Sequence, residues 1–366
     1  MPARSIARLA APLCAALAAL SPLAAQELRL LAPLAGDHYT SGIAISGDGR
    51  VTTGSSCVAF FDTCKAALWS RSGQPENLGV PSGASDALPT AINDDGSAIA
   101  GFAFLPTGGI AFRWTRAQGF QDLGLLPGSP FGAEAYGISG DGTVVAGHSG
   151  SASGDWHAFR WTETGGMRDL GTLPGGTYSF AFALSRDGST VVGFGNTSSM
   201  ELGYRWTARG GMQPLRALAP EESTGAFAVS SNGREVTGYS GSRAVLWRGN
   251  SVHDLGFLPG GTFAVGYAIS GDGRIIGGMA DDASGALKAV LWTPALGMVD
   301  LYALLAILGV DLQGWSFTVV AGISEDGSSM TGIGTYQGEE RGWSLQLPVR
   351  GNSAPGWLAR TLRGRR

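Results

Sequence analysis

His148, Asp155, Trp156 and His157 are the densest group of chemistry-bearing side chains in this 366-residue sequence. An indole beside imidazoles and a carboxylate can stack on a sugar ring, move a proton or help hold a metal. Their spacing matches no metal motif, and the plainer account is a loop whose histidines are solvated or bonded to backbone. A smaller group, Asp37, His38 and Tyr39, precedes the first repeat and invites the same reading, as does Tyr239 at the edge of another loop. Asn93-Asp94-Asp95-Gly96 resembles a calcium loop. Its counterparts elsewhere carry a single acid, or none at Asn232, whereas calcium needs several oxygen ligands. A hairpin turn explains these residues better. The acids Asp122, Asp169, Asp254 and Asp300 recur at one place in the repeat, which suits backbone hydrogen bonding rather than catalysis. There is no Gly-x-Ser-x-Gly, no His-Glu-x-x-His and no phosphate loop. No catalytic residue, metal site or cofactor is therefore expected.

The elements that must position these groups repeat. Turn glycines fall at Gly49, Gly96, Gly142, Gly188, Gly233, Gly273 and Gly327, each followed five positions later by a second glycine. The unit 132–176 shows the pattern. A short strand of small residues (134–139) leads to the Asp141-Gly142 turn, then to a β-branched strand (143–147) and a variable loop (148–156). The alternating strand 157–162, a Gly165-Gly166 turn and a last strand (167–171) follow. Four short antiparallel strands in about 45 residues make a propeller blade. The fold expected is all-β, a seven-bladed propeller.

Small residues at Ala44, Ala91, Gly137, Ala183, Ala228, Ala268 and Gly322 suit crowded innermost strands, and the third-strand tryptophans suit the gaps between blades. The seventh unit lacks its fourth strand, and a spare copy stands at 27–34. Pairing the two would close the ring and cover exposed edges. The run 300–308, ended by Gly309, reads as a short helix between blades 6 and 7. Seven variable loops (55–65, 102–109, 148–156, 194–202, 239–243, 279–288 and 333–341) share a face with the connections between blades. That face is the expected binding surface.

Residues 1–25 have the layout of a secretory signal: Arg4 and Arg8, an apolar run too short for a span, and a small-residue cleavage site. No other segment is long and apolar enough to span. The propeller is expected over 26–348, soluble in the periplasm or outside the cell, with a basic, disordered tail at 349–366. Cys57 and Cys64 read as one disulfide in such a compartment. The chain holds 25 basic and 29 acidic residues; setting aside the two basic residues of the signal and the five of the tail leaves 18 basic against 29 acidic. A body at −11 repels phosphate backbones, which argues against nucleic acid as a partner.

The stretch His157-Ala158-Phe159-Arg160-Trp161-Thr162, followed by Gly166-Met167-Arg168-Asp169-Leu170-Gly171-Thr172-Leu173-Pro174-Gly175-Gly176, resembles the HAF repeat of bacterial exported proteins. The likeness extends over roughly 27–348. It implies an extracellular repeat protein and brings no catalytic residues. The leading expectation is a non-catalytic scaffold presenting loops to an extracellular or envelope glycan or protein. The alternatives are a polysaccharide-active enzyme (glycosidase or lyase) using loop-face acids and histidines, and a purely structural envelope component.

Overall fold

The computed structural model describes residues 27–59 and 62–347. The expected signal segment and basic tail lie outside the described residues. Seven four-stranded antiparallel sheets follow one another round an axis, and consecutive innermost strands touch, from Tyr39–Ile45 of blade 1 to Trp315–Ile323 of blade 7. This is a seven-bladed β-propeller.

The recurring residues have local physical causes. In the turn at 139–144, the buried Ser139 hydroxyl donates to Asp141 Oδ1 at 2.6 Å and accepts from the Val144 N–H at 2.9 Å. Gly142 takes φ 73°, a conformation only glycine adopts without strain. Serine, aspartate and glycine thus form one self-satisfied hairpin, and the aspartates are used up in it. The second glycine answers a different demand. Each innermost strand carries a register shift, between Ala135 and Gly137 in blade 3. A Cβ at Gly147 would lie 2.0 Å from the displaced Glu134 carbonyl. Bulge and second glycine are therefore one feature seen on two strands.

Cores form between blades. Ala66 and Leu68 of blade 1 pack with Ile99, Phe112 and Trp114 of blade 2. The Arg of the third-strand motif clamps neighbours together: Arg113 Nε donates to the Gly142 carbonyl at 2.7 Å and Arg160 Nε to that of Gly188 at 2.9 Å. The small inner-strand residues face the next blade, since a Cβ at Gly137 would meet the Ala183 Cα at 3.2 Å.

Glu27–Leu30 pairs antiparallel with Glu339–Gln346 and supplies the missing fourth strand of blade 7. Leu301–Leu308 is the expected helix. Asp300 caps it by accepting from the Tyr302 N–H, Gly309 ends it at φ 83°, and four leucines bury against blades 6 and 7. Cys57 and Cys64 are cross-strand neighbours joined by a disulfide. Among the described residues no helix is long and apolar enough to cross a membrane.

One expectation needs correction. The seven loops are shorter than the sequence suggests, because strand pairing runs further. In blade 3 the second and third strands are Val144–Gly150 and Trp156–Thr162, with Gly150 opposite Trp156, and only 151–155 connects them. In blade 1 pairing continues through Cys57 with Cys64 to Ala59 with Asp62. His148, Trp156 and Tyr239 therefore stand on strands, not on loops, while His157 lies on the third strand as expected. Tyr39 likewise begins an innermost strand.

Candidate functional site

The inner-strand bulges decide what faces the axis. At each bulge one residue is left without a ladder partner: Tyr136, Phe182, Phe227 and Tyr267 in blades 3 to 6, Ile43 and Thr90 in blades 1 and 2. All six line a cavity of about 530 Å³ at the mouth of the central channel. The mouth lies on the face where second and third strands connect, since Ser41, Leu88 and Phe102 near those strand ends also line it.

The wall is uneven. From Phe102 through Tyr136, Phe182 and Phe227 to Tyr267, neighbouring ring centroids stand 5.6, 5.2, 5.2 and 5.2 Å apart, an unbroken aromatic arc. Opposite it stand slimmer residues of blades 7 and 1: Val319, Ala321, Ile43 and Ser41. No charged side chain lines the cavity. Below it an aliphatic ring follows two inner-strand positions on, including Ile45, Ile92, Ile138 and Leu184, and borders a smaller polar space of about 180 Å³.

The far end is ringed by hydrogen bonds. Backbone N–H groups of successive hairpins donate round the axis in a closed belt, for example Asp94 to Gly140 at 3.1 Å and Gly140 to Arg186 at 2.8 Å, ending with Glu325 to Gly47 at 3.0 Å. Arg186 pairs with Asp94, and the Ser231 hydroxyl donates to Glu325. The cavity at the mouth is thus a cup with an apolar wall, and the channel turns polar toward its far end.

Behind the arc lies the third-blade group. His148 is buried, stacked on Tyr136 with 5.2 Å between ring centroids, and contacts Trp156 at 5.1 Å and Phe180 at 4.7 Å. Its Nε2 stands 3.4 Å from Glu134 Oε2, and its Nδ1 has no hydrogen-bond partner among the described residues. The Tyr136 hydroxyl donates to the same carboxylate at 2.9 Å. Burial pushes the Glu134 carboxyl up, but His148 and the Tyr136 hydroxyl outweigh it and hold the group below the usual range. Burial, then the Glu134 charge, raises the Tyr136 hydroxyl, which therefore stays protonated.

The expected site residues are only partly brought together. His148 and Trp156 meet. His157, on the opposite side of the strand, is held by Asp169 at 2.8 Å and the Thr177 carbonyl at 3.2 Å. The Asp155 carbonyl accepts from the Ser151 N–H in the connecting turn. His38 is exposed, and its backbone bonds to Cys57 and Arg341, while buried Asp37 is taken by Lys65 and Ser56. Tyr239 packs on Phe227 at 5.8 Å, at the margin of the arc. Asp122, Asp169 and Asp254 each accept from a backbone N–H two residues on.

The sequence reading passes over Tyr136, Phe182, Phe227 and Tyr267. A signal exists: in four successive repeats an aromatic residue directly precedes the small inner-strand residue. Among the described residues no group of three or more His, Cys, Asp or Glu is placed to hold a metal ion.

No family model matches the chain, and no curated protein matches it either. Solved structures with a similar course are propellers at low identity. An oligogalacturonate lyase from Vibrio parahaemolyticus is 11% identical, with 87% of this chain and 93% of that chain covered and a TM-score of 0.57. An oligogalacturonate lyase in complex with manganese is 13% identical, with 88% and 93% covered and a TM-score of 0.56. TolB from Acinetobacter baumannii is 13% identical at a TM-score of 0.46, and this chain spans 61% of its length over 70% of its own. At these identities the likeness is one of fold.

Proposed function

We propose that the chain is an exported, non-catalytic scaffold of the HAF-repeat kind that binds an extracellular or envelope partner, a glycan or a protein, at the mouth of its central channel. One observation carries this: an aromatic-lined cup of about 530 Å³ on the face where the strand connections gather. Concave, mostly apolar sites with a few polar groups are where proteins bind ligands. The disulfide and the sequence layout of residues 1–25 support export.

The test is thermal unfolding of the purified chain against a panel of envelope and extracellular polysaccharides. A ligand that binds only the folded ring raises Tm. A shift that Phe182→Ala abolishes supports the reading. A shift that survives Phe182→Ala and Tyr267→Ala places the site elsewhere.

A polysaccharide-active enzyme is the second reading, favoured by Glu134, Tyr136 and His148 lying within reach of one another. Cleavage of a polysaccharide substrate that His148→Ala reduces at least a hundredfold, with the fold retained, would establish it. The lyase relative's manganese finds no three-ligand counterpart among the described residues, which gives that chemistry no support here.

A further inference from the structure

We propose that the guest of the cup is an uncharged aromatic compound of two or three rings. This rests on the reading of the channel mouth as a ligand site and goes beyond it, adding a small guest within the cup itself to the glycan or protein partner met at the rim.

The absence of charge in the wall is the first argument. A carboxylate or ammonium seated between Phe182, Phe227 and Ala321 would shed its water and meet no opposite charge among the lining residues. Burying an unpaired ion is among the most costly events in protein chemistry. A uronate ring is therefore a poor guest for the cup itself. Neutral sugars fare better, yet each brings several hydroxyls, and the wall offers few polar groups to receive them. Thr90 is already committed to the Ala135 carbonyl at 2.8 Å, and Tyr136 to Glu134.

The shape of the wall is the second argument. The five-ring arc is continuous, with rings tilted 36° between Phe102 and Tyr136 and 34° between Phe227 and Tyr267. Aromatic pairs favour such offset and edge contacts. A flat guest laid on the arc meets several rings at once, and the slim residues of blades 7 and 1 leave room for its thickness. At the ~0.75 packing density of protein interiors, 530 Å³ holds on the order of 20 non-hydrogen atoms, the size of two or three rings.

The third argument concerns polarity at the edge. Tyr267 lines the cup, and its hydroxyl, close enough to that of Tyr239 to interact with it electrostatically, makes no hydrogen bond among the described residues. Burial keeps that hydroxyl protonated. It can donate to a single oxygen or nitrogen on the guest, which fits a phenol, aryl ketone or arylamine better than a plain hydrocarbon.

A matched pair of fluorescent probes tests the charge rule. N-phenyl-1-naphthylamine and 8-anilinonaphthalene-1-sulfonate share one ring system, and only the second is charged. Both are titrated into the full chain. The neutral probe should bind saturably, at least tenfold tighter than the sulfonate. Ala321→Trp, which places an indole in the open half of the cup, should weaken the neutral probe at least tenfold. Phe182→Ala removes the central ring and serves as a second variant should the indole unfold the ring, with circular dichroism confirming the fold of each. The proposal is overturned if the sulfonate binds as tightly as the amine, or if neither folded variant weakens the amine. Failure of the broader reading looks different: neutral probe binding that both variants abolish, with no Tm shift from any polysaccharide or captured envelope protein.

Discussion

Thr40→Val is the sharpest test of how the ring is closed. Thr40 is 2% exposed and lies on the innermost strand of blade 1. Its Oγ1 donates to the Leu31 carbonyl at 2.9 Å and accepts from the Gly342 N–H at 3.0 Å. Leu31 N–H in turn donates to the Gly342 carbonyl at 3.0 Å. One hydroxyl thus joins the start of the ring, its first blade and its last blade, across 302 residues of sequence. Valine has the same shape and removes only the hydroxyl. It leaves a buried N–H and a buried carbonyl without these partners, at about 1–3 kcal/mol each, offset by roughly 0.8 kcal/mol from the added methyl. A net loss of about 3 kcal/mol follows. At ~2.1 cal/mol/K per residue for a ring of this size, Tm falls by about 4 °C. The control is Thr237→Val in blade 5, whose hydroxyl makes one bond, to the Val245 carbonyl at 2.9 Å. It should cost about 1 kcal/mol. Urea unfolding of the three proteins measures both. If Thr40→Val costs no more than Thr237→Val, the closure argument is wrong.

Two further outcomes follow from the same structure. Ser270→Ala removes a buried hydroxyl that donates to Asp272 at 2.7 Å and accepts from Ile275 N–H at 3.0 Å; a loss of about 1–2 kcal/mol is expected in urea unfolding, against less than about 0.5 kcal/mol for exposed Ser284→Ala. Glu134 has a folded-state pKa below its ordinary value of 4.5, so its charged form stabilises the fold above that pH, and this contribution fades as pH falls through the lowered value. Stability measured across the acid range should fall less steeply in Glu134→Gln than in the natural protein, and identical slopes would contradict the assignment.

Much of this architecture is local information written seven times. The Ser-x-Asp-Gly turn satisfies itself within six residues, so its sequence is legible without tertiary context. The seventh unit, whose sequence shows no fourth-strand motif, and the spare strand at 27–30 disclose ring closure, because an unpaired edge needs a partner. The helix at 301–308 carries both caps in its own sequence. The pairing of Cys57 with Cys64 needs only a hairpin and an oxidising compartment.

The site was less legible, and the reason is geometric. His148 and His157 look like one cluster in sequence. A strand alternates its faces, so one histidine enters the aromatic group while the other bonds to Asp169. The loops are shorter than spacing suggests because strand pairing past residue 147 depends on partners that spacing does not reveal. Tyr136, Phe182, Phe227 and Tyr267 stand 40 to 46 residues apart along the chain. Only a bulge that turns each one to the axis, and a ring that closes, make them one wall. Sequence alone determined the blades, their number and their closure, since those follow from short-range patterns. Tertiary structure decided the binding face, since a cavity on a symmetry axis belongs to no single repeat.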